Sequence, residues 1–365
     1  MNFLNKNKPT DYKKLISLKN KRKKFKNFHS NLIFPDRFLI VEKIYQFIVK
    51  DLIISFFAFI LLYFKEAKSP RKRRKKVIDT VYARFVSKEY NFIWLSTAFY
   101  LLVSFVPVIY IVYLINLFLS NMDWYNNAIG SEYQNYFFNL ILGRFLAGAN
   151  NYLGEISISL SKTDELSWHT LLPWLLLFLS ALYISSSGYE KLVSANNYIY
   201  DHYKIGTYWG NKFKGLLLVL FVAFWLWFIS TLDILIEKQF VTIVDNNIQT
   251  SFANNLIYII FTIIFFYTLM LGLFKFAPSF KNNFSYLNKG AILAAVPIIL
   301  LVLLFQTINS YFSYSKFGSV VGFFLSIAFF INWFAYFMFL GITFNDAYYK
   351  NYISARTINK KSLFL

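Results

Sequence analysis

Six long apolar stretches, separated by loops whose lysines and arginines fall almost entirely on alternate sides, constrain this chain more than any other feature of it. They run from Phe92 to Leu119, Trp168 to Tyr189, Gly215 to Ile236, Phe252 to Phe274, Gly290 to Ser310 and Gly318 to Gly341. A helix rises about 1.5 Å per residue, so about 20 residues cover a hydrocarbon core of roughly 30 Å, and each stretch reaches that length. The expected fold is an all-α polytopic membrane bundle of six transmembrane helices. Lys65, Lys68, the block Arg71, Lys72, Arg73, Arg74, Lys75 and Lys76, then Arg84 and Lys88 precede the first span, whereas the long loop after it holds only Arg144 and Lys162. Lys191, Lys204, Lys212 and Lys214 precede the third span and Lys238 alone follows it. Lys275, Lys281 and Lys289 follow the fourth, and Lys316 alone separates the fifth from the sixth. By the positive-inside rule this alternation predicts a plasma-membrane protein with both termini cytoplasmic and the 120–167 loop outside.

Composition agrees. Only 15% of residues are charged and 57% are hydrophobic, against about 25% charged in a soluble chain, so too little polar surface exists to be solvated all round. The formal charge of +20 could suit nucleic acid, but it is concentrated in the flanks of the spans, where an anionic leaflet attracts each basic group by about 1 kcal/mol. Membrane lipids with anionic headgroups are therefore the expected partners, with Arg71, Lys72, Arg73, Arg74, Lys75 and Lys76 as the main surface for them, and nucleic acid is disfavoured. Cysteine is absent, and the histidines His29, His169 and His202 are far apart. No phosphate-cradling glycine loop, zinc helix or nucleophile elbow is present. The expectation is a protein without catalytic residues, metal or cofactor.

Along the chain, residues 1–43 form a basic arm, expected to be disordered because Lys21, Arg22, Lys23 and Lys24 stand among few apolar residues. The stretch 44–64 is interrupted by Lys50 and Asp51 and flanked on both sides by positive charge, which predicts an interfacial or re-entrant helix, the alternative being an extra span. In 65–91 the basic block leads into Val77, Ile78, Val81, Tyr82, Phe85 and Val86, the spacing of one helical face, which predicts an amphipathic helix lying on the inner leaflet. The six-span domain covers 92–341, and 342–365 is read as a cytoplasmic tail.

An unpaired amide or carboxylate in lipid costs several kcal/mol, so polar residues within spans are candidates for a substrate path. These are Asn116, Asp233, Gln306, Asn309 and Asn332, with Ser185 and Ser187 at the end of the second span. Asn332 lies deepest and is expected to face the interior; the others lie nearer an interface. Pro107 and Pro297 each remove a backbone hydrogen bond and predict kinks. Gly318, Gly322 and Ser326 recur every fourth residue, as do Gly290 and Ala294, so the fifth and sixth spans are expected to pack closely against each other or another span.

Several segments, in order, resemble one family. Ala98-Phe-Tyr100-Leu-Leu-Val-Ser104-Phe-Val-Pro107 resembles an A-F-Y-x-L-L-S-L-x-P signature, Ala195-Asn-Asn197-Tyr-Ile-Tyr200 an L-N-x-I-W segment, and Pro278 with Lys289-Gly290-Ala291 through Ala295 a P, then P-G-A-x-x-A-A pattern. Tyr311 to Gly318 resembles a Y-x-x-x-Y-G start of the last span. These are the marks of the YihY/virulence factor BrkB family, once labelled ribonuclease BN-like. The resemblance implies a six-helix inner-membrane protein, places Asn197 on the family asparagine and adds it to the substrate path. Two departures stand out: where the family ends its last span with Gly-Ala-Glu, Gly341-Ile342-Thr343 carries no acid, and Asn332 replaces a usual aromatic. The expected function is transport or binding of an amphiphilic, lipid-like, anionic envelope molecule. The alternatives are a membrane scaffold whose basic arm recruits a cytoplasmic partner or nucleic acid, and a membrane-associated ribonuclease, for which no carboxylate or histidine cluster is present.

Overall fold

The computed structural model describes residues 43–62, 70–120, 122–129, 133, 136–143, 168–200, 206–243, 247–280, 282–311 and 319–353. The basic arm, most of the 120–167 loop, Gly318 and the last twelve residues lie outside the described residues. All regular structure among the described residues is helical. The elements are α1 (Lys43–Leu62), α2 (Pro70–Phe85), α3 (Lys88–Ser120), α4 (Asp123–Ala128), α5 (Tyr136–Leu142, π-wound), α6 (Trp168–Ile199), α7 (Tyr208–Ile243), α8 (Asn247–Phe276), α9 (Phe284–Tyr311) and α10 (Ser319–Tyr348), which runs on into a π turn at Tyr349–Ile353. The chain divides into two units, Met1–Tyr63 and Phe64–Leu365.

Among the described residues, six helices are long and apolar enough to cross a membrane: Lys43–Leu62, Tyr90–Ser120, Tyr208–Gln239, Asn254–Phe276, Phe284–Thr307 and Phe323–Ile353. Five coincide with expected spans, and the expected second span is the first part of α6, a single helix of 32 residues. In the first unit, α1 has the length and hydropathy of a span where the sequence predicts an interfacial or re-entrant helix. The reason is local. Lys50 and Asp51 sit within a π-wound stretch, Phe47–Ile54, that carries the helix past them and joins the apolar residues on either side into one element.

In the second unit, consecutive long helices pack pairwise, α3 on α6, α6 on α7, α7 on α8, α8 on α9 and α9 on α10, and α10 returns to α3 to close the ring. Because α3 also touches α7, helix α6 rides outside the seam between them. Its outward residues Leu172, Leu175, Leu176, Leu179 and Tyr183 are accordingly exposed, as lipid-facing side chains are. α3 and α9 continue as helices through Pro107 and Pro297.

Small residues set the tightest crossings. A Cβ on Gly188 of α6 would lie 2.7 Å from the Tyr100 carbonyl oxygen of α3, and one on Gly215 of α7 would lie 2.5 Å from the Ser186 carbonyl oxygen of α6. α9 and α10 meet at Gly290 and Gly341: a Cβ on Gly341 would lie 2.5 Å from the Gly290 carbonyl oxygen and 3.0 Å from Ala294. Gly290 and Ala294 thus pack against α10, at its far end, because the two helices are antiparallel; Ser326 lies buried toward the other end, its hydroxyl bonded within its own helix to Phe323 O at 2.8 Å.

α2 departs from expectation in its partner. Val77, Val81 and Phe85 are fully buried, but against the end of α10 rather than against lipid. Phe85 meets the Tyr336 ring edge-on at 4.8 Å between centroids. An apolar stripe four residues apart fits a neighbouring helix as well as it fits a leaflet, and the aromatic end of α10 takes it. Gly290→Ala should therefore place its methyl on the Gly341 carbonyl and lower stability by about 1–3 kcal/mol, the usual result of overpacking. Gly210→Ala, which meets only the Thr207 hydroxyl of an exposed turn, should be near neutral; thermal unfolding in detergent checks both.

Candidate functional site at the basic end of the bundle

The ends of α2, α6, α8 and α10 and the starts of α3, α7 and α9 gather at one end of the ring, and most of the buried polar contacts lie there. At its centre is Asp346, one turn beyond the expected end of the last span and only 1% exposed. The Arg84 guanidinium of α2 donates to its carboxylate at 2.5 Å and to the Ile199 carbonyl of α6 at 3.0 Å. Lys350, one turn further along, approaches the same carboxylate oxygen at 3.1 Å. One guanidinium thus ties three helices together. Beside it, the Tyr90 hydroxyl donates to Phe339 O at 3.0 Å and bonds Thr343. Burial pushes the Tyr200 hydroxyl well above the usual phenol range, and the Asp346 charge adds to the effect.

Amide side chains hold the surrounding backbone. Asn345 accepts from Gly290 N at 2.8 Å and donates to Leu287 O at 3.1 Å, bridging α10 to α9. Asn197 donates to the Ser279 hydroxyl and accepts from Ser279 N, both at 2.9 Å, fixing the irregular segment after α8. Lys214 donates to Pro278 O at 2.7 Å in the same segment. Lys212 reaches back to Tyr183 O at 3.2 Å, bonds Ser187, and lies 4.1 Å from the Tyr183 ring centre.

Above this layer the interior becomes apolar. A cavity of about 110 Å³ is walled by α3, α5, α6, α7, α8 and α10, with Phe105, Leu192, Leu226, Leu269, Phe334 and Met338 among its lining residues. At the opposite end a second polar group forms: Tyr125 donates to Asn116 at 2.6 Å, Trp227 donates to Tyr125 at 3.3 Å, and Tyr133 bonds Ser230 at 2.7 Å. Asp233, Ser230 and Thr262 line a smaller cavity of about 50 Å³ there. Burial raises the Tyr125 and Tyr133 hydroxyls above the usual phenol range.

The expected path residues therefore divide between the two ends. Asn197, Ser185 and Ser187 belong to the basic end, where Ser185 is buried and Ser187 half-buried. Asn116 and Asp233 are buried at the other end. Asn332 is half-buried, and the α10 wall of the central cavity is made by Phe330, Ile331, Phe334 and Met338 instead. Gln306 is half-buried on α9, and the side chain of Asn309 lies outside the described residues. Of the basic block, Arg71, Lys72, Arg73, Lys75 and Lys76 are exposed and Arg74 is half-buried.

A family model described as Virulence factor BrkB matches residues 81–362, from the middle of α2 to beyond α10. The chain belongs to the Virulence factor BrkB family. With it comes a multi-pass membrane protein, in agreement with the six helices of spanning length. No curated protein and no solved structure matches the chain. The BrkB membership makes the end of α10 informative. Thr343 stands where the family pattern reads an acid and bonds Tyr90, while the buried carboxylate comes from Asp346, three residues on. The sequence reading missed Asp346 because it ended the span at Gly341, although the apolar run Phe344, Ala347, Tyr348 continues the same helix. Arg84→Gln alone should be mild, since Lys350 still neutralises Asp346. Arg84→Gln with Lys350→Gln should cost about 3–5 kcal/mol, well beyond the sum of the single changes, by removing both cations from a buried carboxylate; thermal unfolding of the four-protein cycle measures it.

Proposed function

We propose that this protein sits in the plasma membrane with both termini cytoplasmic and binds and moves an amphiphilic, anionic, lipid-like envelope molecule, without catalysing a reaction. The observation that carries the reading is the pairing of an apolar cavity, lined by six helices, with a cationic layer at one end of the bundle. Apolar cavities of this size stay dry and accept hydrocarbon, while lysine and arginine side chains take an anionic headgroup. The polar groups at the far end, Asn116, Tyr125, Ser230 and Asp233, supply a second place for a polar head. The orientation rests on the charge asymmetry of the loops. A scaffold role draws support from the exposed Arg71–Lys76 block, whose own helix has its apolar stripe occupied by α10.

Leu269→Trp should fill the cavity. In proteoliposomes, movement of a fluorescent phosphatidylglycerol between leaflets should fall to background while thermal stability stays within the range of other core substitutions; undiminished movement would remove the cavity from the mechanism. Orientation is tested in this cysteine-free chain with single cysteines. Trp124→Cys, an exposed position in the loop after the first span, should react with an impermeant maleimide on intact cells, and Arg73→Cys only after permeabilisation. The reverse pattern would invert the topology.

A further inference from the structure

The face of α2 turned away from α10 forms an open groove of about 680 Å³ lined by Lys72, Lys75, Lys76, Thr80, Arg84 and Ser87, with Asp79 as its one acid. The stripe that holds the helix, Val77, Val81 and Phe85, lies on its other side. Ser87 is three residues before Tyr90, where the spanning-length part of α3 begins. On the membrane reading proposed above, this places the groove near the depth of lipid headgroups. Its fourth cation, Arg84, is at the same time the guanidinium that holds Asp346 and Ile199.

We propose that this groove binds the phosphate group of an anionic lipid headgroup, and that Arg84 couples its occupancy to release of α2 from α10. Four cations face one acid across the groove, which favours an anion. A phosphate presents several acceptor oxygens to a guanidinium and forms the same forked pair that a carboxylate does. Arg84 is 31% exposed, so it can exchange one partner for the other. Stripping the counter-ion from a buried carboxylate is ordinarily prohibitive. Here Lys350 stays with Asp346 at 3.1 Å, so the carboxylate is not orphaned when Arg84 turns outward. The same movement withdraws the donor from Ile199 O, so α2 loses the guanidinium's ties to α6 and α10 in one step. A ligand that favours the released state shifts the population toward it by its difference in affinity for the two states. The lipid source of the phosphate rests on the amphiphile reading given above; the phosphate site itself does not.

Hydrogen exchange measured by mass spectrometry on the full-length protein in nanodiscs tests this. Added dihexanoyl phosphatidic acid should accelerate exchange of the 77–85 amides, and dihexanoyl phosphatidylcholine should not. Lys72→Gln, Lys75→Gln and Lys76→Gln should each weaken binding about fivefold, and together on the order of a hundredfold. Lys350→Gln should leave binding nearly intact while suppressing the acceleration, because Arg84 can then no longer leave Asp346; a merely sticky surface would not separate the two readouts. Inorganic phosphate is run in parallel. Acceleration by phosphatidic acid alone assigns a headgroup site, and equal acceleration by inorganic phosphate supports the site and the latch with a soluble source. Acceleration by phosphatidylcholine to the same degree, or unchanged binding in the triple glutamine variant, would overturn the proposal. Loss of the amphiphile reading through the Leu269→Trp experiment would leave the inorganic phosphate arm untouched, so the two failures are distinguishable.

Discussion

A carboxylate buried at the end of a membrane helix dictates how the basic end of this bundle is assembled. Asp346 is almost fully enclosed, and an ion in that position persists only where opposite charge and hydrogen bonds meet it closely. Lys350 can do so from within the same helix, but Arg84 must be brought in by α2, and it can reach only if α2 lies flat along α10. The docking of Val77, Val81 and Phe85 and the ion pair are thus two halves of one arrangement. Because the same guanidinium also donates to Ile199 O, the end of α6 is fixed by it as well.

Where helices break near a membrane surface, every freed backbone group needs a partner. Between α8 and α9 the chain leaves helical geometry at 277–280 and 282–283, with Ala277 and Phe280 fully buried. The partners are side chains of α6, α7 and the end of α8 itself: Asn197 on Ser279, Lys214 on Pro278 O, Lys275 on Asn282 O. Lysines that a charge count assigns to topology therefore also serve as donors to carbonyls. The positive charge of this end is partly structural and only partly available to lipid.

Much of this was legible in the sequence. Apolar runs of more than 20 residues can do little but span, so α3, α7, α8, α9 and α10 followed from length and hydropathy, and Gly290 with Ala294 announced a close crossing. α2 was legible as an amphipathic helix from Val77, Val81 and Phe85, but the periodicity of a helix records only that one face is apolar. Whether Tyr336 or an acyl chain covers it is a long-range contact that no local pattern encodes. Asp346 escaped notice for a different reason: hydropathy ends the last span at Gly341, whereas the two cations that meet the acid, 262 residues away and one turn away, allow the helix to run on past it. Asn332 drew attention as an isolated polar residue at depth, yet half a turn decides which side of α10 a residue faces, and hydropathy does not resolve half a turn.

The seams of the ring differ in kind, and the difference bears on how the bundle can rearrange. At α3/α6, α6/α7 and α9/α10 a glycine brings backbone against backbone. Such contacts are short-ranged and rigid, since sliding by even one residue drives a side chain into a carbonyl. The α3/α10 seam is built from side chains instead: Tyr90 on Phe339, Trp94 on Tyr336, and Phe85 of α2 wedged beside them. Aromatic faces can exchange one packing for another by turning rotamers, without moving the backbones through a clash. In the proposed function a polar head passes between two polar ends separated by an apolar cavity, which requires helices to part, and a seam closed by side chains parts at less cost than one closed by backbone against backbone. The α3/α10 seam is of that kind, α2 covers it through Phe85, and the Arg84 and Asp346 pair helps to hold α2 there.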